Sequence, residues 1–145
     1  MTTVEVEVAL PADRPNIEDL LVGSGLPLDG LGIAISTAVV ARADEVVVGC
    51  AAVEPYGSFG LLRSVCVVSD LRGTGVGRQL VEAAEKLASS RGISELWLLT
   101  ETAERWFPRL GYSPATRDAI PKALGASPEV AGACPQSAAV LHKRL

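Results

Sequence analysis

Three glycines at alternate positions, Gly73, Gly75 and Gly77, enclose Thr74 and Val76 and stand between Arg72 and Arg78. Glycine lets a backbone turn sharply and lie bare against a ligand. The residues that follow, Leu80, Val81, Ala84, Leu87 and Ala88, recur at helical spacing, with Arg78, Glu82, Glu85 and Lys86 on the other face. The free N–H groups of such a helix's first turn point into the loop and favour an anion, and the two guanidinium groups add full positive charge beside them. Residues 72–78 therefore read as a phosphate cradle. Spacing excludes two common versions of it. No Lys-Ser/Thr follows the glycines, as a Walker loop needs, and the order is Gly-x-Gly-x-Gly rather than the dinucleotide Gly-x-Gly-x-x-Gly.

Arg63 is the second residue with chemical potential. It lies inside Leu61 to Val68, a run apolar and β-branched enough for a buried strand. A full charge there is costly without a partner. Either an internal carboxylate such as Glu54 neutralises it, or a ligand carboxylate does so bidentately. Plain strand alternation puts Arg63 on the same face as Val65 and Val67. Glu54 and Glu101 are carboxylates near strand ends, placed either to draw off a proton through water or simply to be solvated. Cys66, in the same strand with no histidine nearby in sequence, reads as packing rather than as a nucleophile. His142 is the single histidine, and Cys50, Cys66 and Cys134 lack metal-ligand spacing. A zinc centre, a disulfide scaffold and histidine-based catalysis are all set aside.

The elements that must position these residues alternate between strand and helix. Val4, Val6 and Val8 alternate with glutamates, predicting a half-buried strand over Thr2 to Leu10. Asn16 can cap a helix through Ile17, Leu20, Leu21 and Val22. Gly23 to Gly32 has no periodicity. Ser36 to Arg42 and Glu45 to Val53 read as strands of a hairpin turning at Ala43-Asp44. Gly92 ends the main helix and Ile93 to Leu99 is the next strand. Thr102 to Leu110 is predicted as a short helix, Tyr112 to Thr116 as a strand, Asp118 to Leu124 as a turn of helix, and Ser137 to Leu145 as the closing strand. The pattern predicts an α+β sheet of six to seven strands with flanking helices.

A chain of 145 residues suits one domain, residues 1–145, with a core of Val, Leu and Ala, since 48% of residues are apolar but only 4% aromatic. A net charge of -4 argues against nucleic acid and anionic membrane as partners. No apolar run approaches the length of a membrane span, and the start carries Glu5 and Glu7 instead of a basic leader. A cytoplasmic protein is the default expectation.

The run Arg72-Gly-Thr-Gly-Val-Gly77 after a strand resembles the pyrophosphate loop of the GNAT superfamily of acyl-CoA-dependent N-acetyltransferases. Leu99-Thr100-Glu101, followed by Ala103-x-x-Trp106-Phe107-x-x-Leu110-Gly111-Tyr112, resembles that superfamily's second motif. Leu61 to Val67, Asp118 to Pro121 and Cys134-Pro135 are similar to the small amino-acid N-acetyltransferases (N-acetylglutamate synthase-like) and to the acetyltransferases encoded beside arsenic-resistance genes. The resemblance implies a GNAT fold with a mixed twisted sheet. It also implies acetyl-CoA as cosubstrate without a metal, and direct acetyl transfer to the amine of a small amino-acid-like acceptor. Under it, the backbone of Cys66, Val67 and Val68 pairs with the pantetheine arm, residues 72–78 hold the pyrophosphate, and Arg63 meets an acceptor carboxylate. Some members carry a glutamate where Arg63 stands, which leaves Glu54 and Glu101 as the candidates to take the proton. Phe107 stands where many members have a tyrosine that protonates the leaving thiolate. That departure leaves open a second class, a CoA-binding sensor or interaction module, and a homodimer is compatible with either.

Overall fold

The apolar runs pair into one mixed sheet of seven strands in the order β1-β2-β3-β4-β5-β7-β6. The computed structural model describes residues 3–145. The strands are β1 (Val4–Val8), β2 (Ala38–Ala43), β3 (Val46–Tyr56), β4 (Phe59–Val67), β5 (Glu95–Thr100), β6 (Ser113–Ala115) and β7 (Ala139–Arg144). Three helices flank them: α1 (Arg14–Gly23), the single turn α2 (Leu31–Ala34) and α3 (Val76–Ser90). Helix α3 ends where Gly92 was expected to end it. The amides of Gly92 and Ile93 return to the carbonyls of Ser89 and Ala88, which closes the last turn before β5.

The sheet is divided by how its middle is paired. β4 and β5 run parallel but share only three positions, Phe59 with Glu95, Gly60 with Leu96 and Leu61 with Trp97. Beyond Leu61 they part. β4 stays with β3, while β5 pairs with β7 over its whole length, from Glu95↔Arg144 to Thr100↔Ala139. The result is a gap between two half-sheets, opening toward the carboxyl ends of β4 and β5.

Each face is covered by a different part of the chain. α3 packs Val76, Leu80, Val81, Ala84 and Ala88 against Val39, Val53, Leu62, Leu96 and Leu98. On the other face Ile17 and Leu21 of α1 and Leu31 of α2 meet Val40, Val47, Cys50 and Cys66. Leu124, from the segment between β6 and β7, covers Leu61, Trp97 and Val140 on that same face.

Four expectations change. Helix α1 starts at Arg14 after Asp13, so Asn16 lies inside its first turn rather than at its cap. The β2–β3 hairpin keeps Ala43 in the strand and turns one residue later than Ala43-Asp44. Thr102 to Leu110 holds only one 3-10 turn, Phe107–Leu110, because Pro108 removes an amide from the helical ladder and Gly111 stops it. The regular alternation expected of β4 is broken by a bulge. Cys50 pairs with Cys66 but Ala52 pairs with Arg63, so Ser64, at φ 58, is an extra residue. The bulge swaps faces. Val65 and Val67 join Leu62 on the α3 side, while Cys66 packs on the α1 side. Arg63 and Val65 therefore do not share a face.

The β2–β3 hairpin turns on Asp44 and Glu45, both left-handed at φ 51 and φ 66. This geometry favours glycine at the second position. Replacing Glu45 by Gly is expected to raise stability by about 0.5–1 kcal/mol, since the relieved side-chain strain exceeds the added chain entropy. Urea unfolding should show a higher midpoint at unchanged slope.

Candidate active site

The cradle forms where β4 runs out. Val68 hands the chain to a 3-10 turn, Ser69–Leu71, and Gly75, left-handed at φ 91, caps α3. Gln79 N–H is the first helix amide to find a backbone partner, the Gly75 carbonyl. The amides of Val76, Gly77 and Arg78 are thus the free donors of the first turn. A Cβ built on Gly73 or Gly75 would meet no atom within 4 Å. Residues 72–75 are exposed, so the space in front of these donors is open. Arg78 extends its Nη2 to the Arg109 carbonyl at 3.4 Å, and Thr74 Oγ1 donates to the Leu71 carbonyl at 2.5 Å.

Behind the loop, the gap exposes one edge of β4. Val68 N–H is already bonded to the Val48 carbonyl at 2.9 Å. By the alternation of antiparallel pairing the backbone of Cys66 also faces β3, and that of Val67 and Val65 faces the gap. The structure therefore separates the three expected backbone contacts: Val67 looks into the gap, and Cys66 and Val68 look away from it. Val65 was missed in the sequence because the bulge that sets the register carries no glycine signal. Arg72 Nε holds the Val67 carbonyl at 3.2 Å, which joins the loop to the gap.

The thiols are packing groups. Cys66 is 6% exposed and its Sγ lies 2.9 Å from Ser24 Oγ of the segment after α1. Cys50 is buried opposite it, and burial pushes that thiol up to about 12. Phe107 is equally internal, 5% exposed, with its ring edge-on to Trp106 at 4.9 Å and to Tyr112 at 5.6 Å. Tyr112 donates to Glu85 Oε2 at 2.8 Å, and burial foremost, with that carboxylate, pushes its phenol far up.

Arg63 lies at the centre of a buried polar cluster just before the bulge. Its Nη1 donates to Glu54 Oε2 at 2.7 Å and to the Asp29 carbonyl. Its Nη2 donates to the Pro27 carbonyl at 2.9 Å, and its Nε to Ser64 Oγ at 3.0 Å. A second carboxylate, Glu129 Oε2, faces Nε at 3.4 Å. Of the two possibilities open in the sequence, the internal carboxylate is thus realised by Glu54, whose side chain and that of Arg63 are both 0% exposed. Glu54 Oε1 accepts from Tyr56 at 2.6 Å, so both its oxygens are engaged. Burial first, then this bond, pushes the Tyr56 phenol up to about 12. Gly30 is pressed against the cluster. A Cβ there would lie 2.7 Å from Arg63 Nη1 and 2.9 Å from Glu54 Oε2.

Glu101 has the opposite setting. It is exposed at the end of β5 and lines a cavity of about 660 Å³ together with Thr100, Arg105, Trp106 and Arg109. Tyr56 and Glu129 join the site without having stood out in the sequence. Glu129 sits in an aperiodic stretch, and nothing local marks its partner. Among the described residues no group of three or more His, Cys, Asp or Glu could hold a metal ion.

Comparison with known proteins identifies this arrangement. The family model described as an acetyltransferase (GNAT) domain matches residues 34–114, which run from α2 through the cradle to β6. An amino-acid acetyltransferase of Ralstonia nicotianae is 37% identical over 81 residues, covering 54% of this chain and 18% of that protein. One from Proteus mirabilis is 27% identical over 135 residues, covering 83% of this chain and 30% of that protein. The N-acetylglutamate synthase of Neisseria gonorrhoeae, solved with coenzyme A and N-acetyl-glutamate, matches with a TM-score of 0.82 at 25% identity, over 100% of this chain and 36% of that one. The chain thus spans between 18% and 36% of the length of these three relatives. With the family match covering more than half of its length, the chain belongs to the GNAT acetyltransferase domain family.

Proposed function

We propose that this chain transfers an acetyl group from acetyl-CoA to the amine of a small amino-acid acceptor by direct attack. The observation that carries the reading is the alignment of the glycine-capped start of α3 with the open edge of β4. A pyrophosphate needs several backbone donors and room to approach them, and a pantetheine arm needs an unpaired strand edge. Both occur in one continuous stretch, residues 65–78. The similarity to amino-acid acetyltransferases, one of them solved with coenzyme A, points the same way.

In this reading Val76, Gly77 and Arg78 N–H groups hold the pyrophosphate, with Gly73, Thr74 and Gly75 giving it room and Arg72 and Arg78 adding charge. The backbone of Val67, and of Val65 before it, pairs with the pantetheine amides. An N–H near the bulge then hydrogen-bonds the thioester oxygen as charge develops on it. The neutral amine attacks the carbonyl carbon, a C–N bond forms, and the C–S bond breaks. The departing thiolate belongs to a thiol with a solution pKa of about 8.5, a tolerable leaving group at neutral pH without a dedicated acid. Phe107 is therefore no obstacle. Of the two candidate carboxylates, Glu101 is the exposed one and passes the amine's proton to water, whereas Glu54 acts through Arg63 by holding the guanidinium in place. Arg63 meets the acceptor's carboxylate.

The cradle is tested by calorimetric titration of coenzyme A. Gly75→Val strains a left-handed position and fills the open space, while Gly75→Asn fills the space with a residue that tolerates the conformation. Both variants should lose affinity by about tenfold or more, the cost of one or more charge-assisted contacts. Unchanged affinity in folded Gly75→Asn protein would place the phosphates elsewhere.

Rate should rise with pH as the acceptor amine loses its proton, with no acidic limb from a histidine or from a tyrosine at 107. Phe107→Tyr should change kcat/KM only modestly. Glu101→Gln should lower it by about tenfold, at or below the low end of proton-transfer assistance. A bell-shaped profile that survives Glu101→Gln would assign the proton to another group.

A further inference from the structure

The two carboxylates on Arg63 are held very differently. Glu54 comes from the middle of the sheet, meets Nη1 at 2.7 Å and gives its other oxygen to Tyr56. Glu129 comes from the irregular turn Glu129–Ala133 between β6 and β7. It offers one oxygen to Nε at 3.4 Å, and its other oxygen accepts only the Cys134 thiol, at 3.5 Å. A thiol is a weak donor, so this carboxylate, only 4% exposed, is poorly satisfied. Burial accordingly pushes its carboxyl up. Ser127, two residues earlier, is also buried, 0% exposed, with its hydroxyl on the Tyr56 side of the cluster. The turn thus brings a poorly satisfied carboxylate into the interior.

The guanidinium is also incomplete on the side that Glu129 faces. Of the five N–H donors of an arginine, Nη1 uses both of its own, on Glu54 and Asp29. Nε is shared between Ser64 Oγ and the distant Glu129, and Nη2 bonds the Pro27 carbonyl with one of its two hydrogens. The Nε–Nη2 edge is the fork that accepts a carboxylate with two parallel bonds. Here Nε gives its one hydrogen to Ser64 Oγ at 3.0 Å, Glu129 stands beside it at 3.4 Å, and no carboxylate bonds the edge bidentately.

We propose that Glu129 is an internal stand-in for the acceptor's carboxylate, held beside Nε of Arg63 in the free protein and displaced when an amino acid binds. The inference rests on the reading that the acceptor is an amino acid. An incoming carboxylate that takes over the Nε hydrogen from Ser64 Oγ and uses the second hydrogen of Nη2 engages both donors of the fork, which Glu129 does not. The exchange also conserves charge. Arg63 already balances Glu54, and adding a third carboxylate to one buried cation would be far costlier than substituting the second. Glu54 stays as the permanent counterion, and Glu129 competes with acceptors that carry a carboxylate but not with simple amines. It is a specificity-setting residue, not one that touches the reacting atoms.

The test compares wild type with Glu129→Gln and Glu129→Ala, in acetyl transfer to the best of the twenty standard amino acids and to the amine left by removing its α-carboxylate. The variants should lower KM for the amino acid by about tenfold, as if one charge-assisted competitor had been lifted, with the effect on KM rather than kcat. KM for the decarboxylated amine should stay the same. A change equal for both acceptors, or none, overturns the inference while leaving the acceptor reading intact. Turnover of amines but of no amino acid overturns both. Wild type supplies a readout that does not depend on the variants folding. Adding the amino acid should speed labelling of Cys134 by a thiol reagent, located by peptide mass, because the Glu129–Cys134 contact comes apart. Labelling that is unchanged, or slowed, at saturating amino acid counts against displacement.

Discussion

Three positions of pairing hold β4 to β5, and the site depends on there being no more. The limit is set where the two half-sheets diverge. The other edge of β5 is fully engaged by β7, so β5 follows the direction of β7, while β4 is bent toward β3 by the bulge at Ser64. From Leu62 onward the inner edge of β4 lacks a strand partner. An unpaired edge in the middle of a sheet is costly unless something pairs with it. That cost is the structural reason to expect an extended, amide-bearing ligand there.

The bulge also explains how a charge is tolerated one residue before it. In a regular strand the change of face at Ser64 would not occur, and the Ser64 hydroxyl would be on the opposite side from Arg63. The extra residue brings that hydroxyl to Nε at 3.0 Å. The carbonyls of Pro27 and Asp29 and the Glu54 carboxylate complete most of the remaining shell. Burying an ion pair gains little by itself, because desolvation consumes the attraction. Its value here is geometric. One guanidinium fixes the Pro27–Gly30 segment, the end of β3 and the turn that carries Glu129, three elements from distant parts of the chain. The absence of a Cβ at Gly30 is what lets the first of these approach so closely.

What could be read in the sequence was what is encoded locally. The glycine turn, α3 and its glycine stop depend on residues within a few positions of one another, and they appear where the spacing put them. The hairpin was legible too, although its turn uses Asp44 and Glu45 without a glycine. The register of β4 was not legible. A serine at φ 58 is held there by the tertiary structure rather than by its own preference, so alternation alone gave Arg63 the wrong companions. Ala103, Trp106, Phe107 and Leu110 share a helical period, yet Pro108 and the turn started by Thr100 Oγ1 leave a single 3-10 turn. Glu129 had no signal at all, because its meaning comes from Arg63, half a chain away. The sequence did pose the right question about Arg63, a buried charge in need of a partner. It could not say that two partners would answer, one firmly and one loosely.

The charge distribution gives this asymmetry a wider setting. The chain is acidic overall, at -4, but its charges are sorted about the gap. Arg72 and Arg78 flank the glycine turn, while the neighbouring cavity is lined by Arg105 and Arg109 together with Glu101 and Glu104, so only the turn itself is uniformly basic. The charges near Arg63 are mostly negative, with Glu54 and Glu129 in contact and Asp29 close enough to Glu129 to help push its carboxyl up. A thioester cosubstrate with several phosphates and a zwitterionic acceptor would approach from opposite sides of such a gap, each toward charges of the other sign. The acceptor's ammonium is favoured by the acidic surroundings, while its carboxylate has only one cation to meet. Under the proposed reading, a site with a surplus of carboxylates around one arginine would favour an acceptor that carries both charges.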